Sequence, residues 1–166
     1  IMCRTEEDAR KALEMVRNWT AKNGLTLHPT KTKIVDSRVE GFAFLGYQFL
    51  GETRVPRDKS LLKVRETIRR YTKRTSGDSL AYIVVKLNET LRGWMGYFQH
   101  CKPPWIFERL DRWIRVRLRS LLRKRAGRRG RGRGADHHRW PNQYFVDLGL
   151  YNLQAAHGKA VQSSKR

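Results

Sequence analysis

The spacing of apolar residues separates a mixed N-terminal part of the chain from a helical remainder. From Glu6 to Asn23, apolar residues recur every three or four positions, which predicts an amphipathic helix. Thr5 is a suitable N-cap for this helix, and Gly24 is a residue often found just beyond a helix end. From residue 25 to residue 50, short apolar and alternating runs predict strands around a turn at Pro29. We therefore predict a helix followed by a small antiparallel sheet.

After Pro56 the pattern becomes helical. It predicts a helix starting at Ser60, a second starting at Asp78 and a third that stops before Gly127. The second helix has apolar residues at alternating steps of four and three positions, the pattern of a helix packed in a bundle. These residues are Leu80, Val84, Leu87, Leu91, Trp94 and Phe98. The predicted fold class is α+β: the helix and small sheet, then a three-helix bundle, then a short basic tail.

The net charge indicates the class of molecule that the chain binds. The 166 residues include 36 Lys and Arg against 15 Asp and Glu, a net charge of +21. This excess indicates a polyanion, with nucleic acid as the first candidate and an anionic membrane surface as the second. No apolar run approaches the ~18–20 residues needed to span a membrane. With Cys3 and Cys101 as the two cysteines, the sequence supports neither a disulfide framework nor a cysteine-based zinc site, and a reducing, cytoplasmic location fits.

The positive charge is concentrated late in the chain. Residues 101–134 carry thirteen Lys and Arg against two Asp and Glu. One face of the third predicted helix carries arginines at steps of three and four: Arg112, Arg115, Arg119 and Arg123. Because like charges repel along a helix, a polyanion explains this face better than solvent does, and arginine suits bidentate recognition of phosphate. We predict an arginine ridge that binds nucleic acid, continued by Arg128 and Arg129 in a flexible Gly/Arg-rich segment.

No catalytic centre is visible in the sequence. There is no Ser-His-Asp set, no phosphate-cradling glycine loop and no paired acidic motif. Asp136, His137 and His138 are adjacent, so they cannot all point at one metal ion from a regular element, and we interpret them as a polar linker. We therefore predict no metal site.

Three quoted stretches resemble a known family. "GLTLHPTKTKIVD" and "GFAFLGYQF" are similar to the last two palm blocks of the reverse transcriptases encoded by group II introns. "LNETLRGWMGYF" resembles the signature of their maturase-specific domain, also called domain X or the thumb. "RWPNQYFVDLGLYNL" resembles the segment after the thumb in bacterial members. The resemblance divides the chain into the end of the palm (1–56), the thumb (57–127) and a Gly/Arg linker with a short DNA-binding-like tail (128–166).

The resemblance also implies roles for residues of the palm part. Lys31 matches a lysine near the incoming nucleotide, where it would either act as a general acid toward the leaving pyrophosphate or be structural. Phe44, Leu45 and Gly46 match the primer grip, where the primer strand comes close to the backbone. The family's Tyr-Ala-Asp-Asp motif precedes a strand like that at Ile1, so we expect the chain to be the tail of a longer protein. The intact polymerase would use Mg²⁺; without the catalytic aspartates, we expect this chain to hold no cofactor and to be inactive as a polymerase.

Two glycines interrupt the second predicted helix, Gly93 and Gly96, at a cost of roughly 1 kcal/mol each relative to alanine. Two explanations stay open. The glycines allow close packing on a neighbouring backbone, or they allow close approach of RNA phosphate. The resemblance adds RNA contacts by Asn88, Arg92 and Tyr97.

The function predicted is that of the C-terminal part of a group II intron reverse transcriptase and maturase. It would bind intron RNA to assist splicing and, in the intact protein, grip the RNA template and DNA primer duplex; target DNA is a further candidate partner. The expected location is the bacterial cytoplasm, with nucleoid association as an extension. The alternative is a free-standing maturase-like RNA-binding module without enzyme activity. A basic RNA binder of the ribosomal type is disfavoured by the palm blocks.

Overall fold

The computed structural model describes residues 1–132 and 134–163. It contains both helices and a small antiparallel sheet, which confirms the α+β fold class. In chain order the elements are α1 (Glu6–Lys22), β1 (Phe42–Phe44), β2 (Tyr47–Leu50), β3 (Thr53–Pro56), α2 (Asp58–Tyr71), α3 (Leu80–Phe98), α4 (Trp105–Arg125), α5 (Asp136–Arg139), α6 (Asn142–Asp147) and α7 (Leu153–Ser163).

The caps explain where the helices begin and end. As predicted, the Thr5 side chain accepts a hydrogen bond from the Asp8 backbone N–H, and Gly24 follows α1 with a φ of +68°. The cap of α3 is Ser79 rather than Asp78, because the Ser79 hydroxyl accepts from the Tyr82 N–H at 3.1 Å. Gly127 follows the end of α4 in a left-handed conformation, with a φ of +72°.

The sheet is a meander in the order β1-β2-β3. Phe44 pairs with Tyr47 across the first turn, and Gln48 pairs with Val55 across the second pair of strands. Leu45 and Gly46 form the tip of the first hairpin, both with positive φ. Since a β-branched or bulky side chain rarely adopts this conformation, Leu45 at +44° stores strain at the tip.

The core is built by the helices that follow the sheet. Its buried residues come from α2, α3, α4, α6 and α7 and the α3–α4 loop, whereas α1 buries none of its residues. The largest fully buried apolar side chains are Phe107, Phe145, Ile68, Ile83, Leu87, Leu91, Leu110, Ile114, Leu118, Leu121 and Leu153. The seam predicted for α3 is largely buried, with Trp94 half-buried against Phe98 and Phe107.

The tail adds a further helix to the predicted three-helix bundle. α7 packs on α3 and α4. The carboxylate of Asp111 accepts from the N–H groups of Leu153 and Gln154 at 3.1 and 3.0 Å, capping the start of α7. His157 lies within hydrogen-bond distance of the Cys101 carbonyl, at 2.7 Å, and stacks on Phe107. The last part of the chain is therefore integrated in the helical core.

Candidate nucleic-acid interface

An open groove lies between α2 and α3, with the tip of the β1–β2 hairpin at one end. Its volume is about 450 Å³. Lys63 and Thr67 from α2, Gly93 and Trp94 from α3, and Gly46 from the hairpin line it. The groove therefore joins part of the predicted primer grip to the signature stretch of the second predicted helix.

Hydrogen bonds fix the hairpin tip over this groove. The Tyr97 hydroxyl donates to the Leu45 carbonyl at 2.6 Å, and the Tyr47 hydroxyl donates to the Tyr97 carbonyl at 2.5 Å. Ser60 of α2 donates to the Gly46 carbonyl at 3.2 Å. Burial raises the pKa of Tyr47 to about 12, so its phenol stays a neutral donor at physiological pH. Tyr97 thus positions the hairpin, and its exposed ring stacks on that of Tyr47.

The two glycines of α3 face open space. A Cβ built on Gly93 or on Gly96 would meet no heavy atom within 4 Å. Close packing on a neighbouring backbone therefore explains neither of them within the described structure, which corrects that interpretation. Gly93 lines the groove and Gly96 does not.

The structure places the predicted site residues of the palm part at two separate locations. Phe44 and Leu45 are exposed at the hairpin tip, 59% and 67% respectively, and Gly46 lines the groove. Lys31 lies exposed in the loop between α1 and β1, apart from the residues that line the groove. Its role as a general acid or a structural lysine stays a prediction.

Asn88 is engaged inside the chain. Its Nδ2 donates to the Gly149 carbonyl and its Oδ1 accepts from the Tyr151 N–H, both at 2.7 Å. These bonds hold the turn that leads into α7 and give Asn88 a structural role, while its RNA contact stays a prediction. Arg92, one turn further along α3, is exposed, and its guanidinium lies 5.5 Å from the centre of the Tyr151 ring.

The arginine ridge predicted on α4 is not continuous. Arg119 is 2% exposed; its guanidinium donates to the Trp140 carbonyl and to Asn142 Oδ1, both at 2.8 Å. Burial lowers the pKa of Arg119, and the charge of Arg115 adds to the effect. Because Arg119 is covered by the segment around Trp140, the prediction that it forms part of an exposed ridge is wrong.

The other members of the ridge differ in their exposure. Arg112 is exposed and pairs with Glu108 at 2.7 Å, and Arg115 is half-buried beside Asp111. Arg123 donates to the Arg129 carbonyl at 2.6 Å and to the buried Asp136 carboxylate at 2.8 Å. The carboxylate of Asp136, which we interpreted as part of a polar linker, therefore fixes an arginine.

The Gly/Arg segment after α4 is held against that helix. The Gly132 N–H donates to the Ser120 hydroxyl at 3.0 Å. A Cβ on Gly132 would lie 2.5 Å from the Cβ of Arg119, so only glycine fits there. Arg128, Arg129 and Arg131 are exposed on this segment, which we call the basic loop (residues 127–132). Local composition predicted a flexible linker because it does not report the contacts with Ser120 and Arg123.

The described residues offer no metal centre. Within residues 1–132 and 134–163, no group of three or more His, Cys, Asp or Glu side chains is arranged to hold an ion. The Mg²⁺ that the resemblance implies for an intact polymerase stays an expectation. None of the helices described is long and apolar enough to cross a membrane.

The comparison with protein families supports the interpretation of the signature stretch. Residues 61–140 match the family model of the group II intron maturase-specific domain. No curated protein matches the chain. The matched region contains α2, α3, α4, the basic loop and α5. The stretch from residue 61 to residue 140 is therefore similar to group II intron maturase-specific domains, which supports a maturase-related role.

Proposed function

We propose that the chain binds group II intron RNA to assist splicing and, in the intact protein, grips the template–primer duplex during RNA-directed DNA synthesis. The family match over residues 61–140 supports the intron RNA as partner. The net charge of +21 supports a polyanion in general. The remaining support comes from the shape and charge of two surfaces.

The groove between α2 and α3 gives the strongest structural support for the proposal. A helix gains roughly 1 kcal/mol when an interior glycine becomes alanine, yet α3 keeps Gly93 where a side chain would meet no atom of this chain. A ligand that occupies this space explains why α3 keeps a glycine that lowers the stability of the helix. Lys63, Thr67 and Thr90 offer hydrogen-bond partners on the walls of the groove, and Trp94 and Tyr97 offer aromatic surface. These groups suit a sugar–phosphate backbone entering between the helices.

The basic loop supplies the electrostatic part of the proposal. Arg123 and Ser120 fix its backbone, so the exposed Arg128, Arg129 and Arg131 project from a held segment. Holding the backbone in place lowers the entropy lost when these arginines bind phosphate. Intron RNA would contact this loop, whereas the groove would take the duplex.

A pair of glycine variants tests the groove. Gly93→Gln and Gly96→Gln introduce the same good helix former three residues apart on α3, and a Cβ at either position meets no atom within 4 Å. Both variants should unfold at a higher temperature than the parent chain. Gly93→Gln alone should bind an RNA–DNA hybrid duplex about tenfold more weakly, because its side chain occupies the groove.

Fluorescence anisotropy with a labelled hybrid, alongside thermal melting, provides both measurements. Equal affinity of the two variants and the parent would refute binding in the groove. Replacing Arg128, Arg129 and Arg131 with Gln should reduce the log–log salt slope for single-stranded RNA by about 2, at roughly 0.7 for each phosphate contact. An unchanged slope would refute the role of the basic loop.

A further inference from the structure

Three arginines surround one tryptophan on a face away from the groove. Arg65 and Arg69 lie one turn apart on α2, and Arg117 lies one turn beyond Trp113 on α4. Their guanidinium carbons are 5.9, 5.6 and 5.5 Å from the centre of the half-buried Trp113 ring. We call these four residues the Arg–Trp cluster.

The cluster carries positive charge without a matching acid. No ion pair joins any of its arginines to a carboxylate within residues 1–132 and 134–163. Arg65 Nε is buried and has no hydrogen-bond partner in that part of the chain. Burial lowers the pKa of Arg117, and the neighbouring charge of Arg69 lowers it further. The arrangement is electrostatically unfavourable for the free protein.

Arg117 has a structural reason to be there, and the other two arginines do not. Its guanidinium donates to the Thr72 hydroxyl at 2.6 Å and to the Thr72 carbonyl at 3.0 Å, at the C-terminal end of α2. A cation at this end of a helix is stabilising because it faces the negative end of the dipole. Arg65 and Arg69 make no such side-chain bond among the described residues, so contact with the indole ring is what positions them. Cation–π contacts at exposed sites are weak.

The cluster lies on a different face of α2 from the groove. Lys63 and Thr67 line the groove, and each precedes a cluster arginine by two positions. Residues two apart on a helix point in nearly opposite directions. A ligand on Arg65 and Arg69 therefore does not compete for space with a duplex between α2 and α3.

We propose that the Arg–Trp cluster is a second RNA-binding site that takes a phosphodiester group together with an adjacent unstacked base. Arg65 and Arg69 provide planar donors for the phosphate oxygens, and the accessible part of the half-buried Trp113 ring supports the base. The bound phosphate offsets the charge repulsion between the arginines. This inference rests on the proposed function for its ligand, intron RNA, and adds that one domain holds that RNA and a duplex at the same time.

Binding of the full 166-residue chain tests the cluster. The variant is Arg65→Gln/Arg69→Gln, which leaves the structural Arg117 in place. The control, Arg17→Gln/Lys22→Gln, removes the same charge from exposed positions on α1. The probes are a labelled group II intron RNA and a labelled RNA–DNA hybrid, each titrated from low to high salt.

The expected result is specific for one probe. The cluster variant should bind the intron RNA about tenfold more weakly, with a log–log salt slope reduced by about 0.7 for the one phosphate contacted. Its affinity for the hybrid and the behaviour of the control should match the parent chain. Parent-like affinity and slope on intron RNA would overturn the inference. A parent chain that binds neither probe would instead overturn the proposed function.

Fluorine NMR of the chain labelled with 5-fluorotryptophan locates the contact directly. Trp113→Phe assigns the resonance of Trp113, which intron RNA should shift and the hybrid should not. A Trp113 resonance that stays in place while intron RNA binds would also overturn the inference. Arg65→Lys/Arg69→Lys separates charge from folding: it should keep the parent salt slope and lose part of the affinity. A lysine variant with the same flattened slope as the glutamine variant would contradict a phosphate contact.

Discussion

Single amide, carboxylate and guanidinium groups attach the last third of the chain to the helices before it. Asn88 holds the turn from Gly149 to Tyr151, and Asp111 caps α7. Arg119 holds the Trp140 carbonyl from the opposite end of α4. Each of these polar groups is wholly or partly buried, so losing one partner leaves the other unsatisfied as well as removing a bond.

Asn88→Ala should therefore destabilise the chain although the substitution favours a helix. Two hydrogen bonds contribute about 0.5–1.5 kcal/mol each, which predicts a loss of about 1–3 kcal/mol in the free energy of unfolding. Chemical denaturation followed by circular dichroism measures this loss. Asn18→Ala is the matched control, because Asn18 is exposed on α1 and its substitution should be neutral or slightly stabilising. Equal stability of the two variants would mean that the Asn88 bonds contribute nothing.

At the scale of elements, the basic loop and α4 depend on each other. The loop covers Arg119 and Ser120, and Arg123 of α4 fixes the loop through the Arg129 carbonyl. On α4 alone these arginines would repel one another. With the loop in place, some of them are buried and hold the loop, and the others remain exposed. The loop thus changes which arginines of the region are accessible to RNA.

Gly132→Ala should disrupt this arrangement. The new Cβ would lie 2.5 Å from Arg119 Cβ and 2.9 Å from its carbonyl carbon, both too close to be relieved without moving the backbone. We expect a loss of about 1–3 kcal/mol, as for overpacking in a core, together with faster proteolysis at Arg128 and Arg129. Gly77→Ala is the control, because a Cβ there meets nothing within 4 Å and its φ is not positive. If both variants melt at the parent temperature, the contact of Gly132 with α4 is not maintained in solution.

Sequence patterns predicted these elements better than the roles of their polar residues. The four-and-three spacing of α3 and the cap of α1 depend on neighbours within one or two turns, so a local pattern reports them. The burial of Arg119 depends on Trp140 and Asn142, more than twenty residues later, and the Asn88 bonds depend on residues 61 and 63 positions away. No local pattern contains that information. The resemblance of "LNETLRGWMGYF" did identify the helix that lines the groove, because a family signature reflects tertiary context.

At the scale of the whole molecule, stability is unevenly distributed. The buried core runs from Val64 to Leu153, whereas α1 has no buried residue and leaves Met15 and Trp19 72% and 62% exposed. Few buried apolar contacts mean a low free energy of local opening. The helical part should therefore be the stable unit of the chain.

Limited digestion with trypsin should show this difference. Sites before residue 40 should be cut first and Arg54 or Arg57 next, leaving a resistant fragment that includes α7. Hydrogen exchange should be fast in α1 and slowest in the buried turns of α3 and α4. Mass spectrometry identifies the fragment; early cleavage between α4 and α7 would contradict the integration of the tail. RNA bound at the basic loop should slow cleavage there and leave cleavage in α1 unchanged.

The docking of α7 also determines when the chain can finish folding during synthesis. Cys101, Asp111 and Phe107 meet their partners in residues 153–157, some 42 to 56 positions later. A nascent chain that has just released α4 from the ribosome still exposes Phe107 and the carbonyl of Cys101. Contacts of such long sequence separation form late, because the intervening segment must be ordered first. The packing of these helices is therefore completed only after residues 153–157 have emerged, and until then the unfinished chain carries an open apolar face that is prone to misassembly.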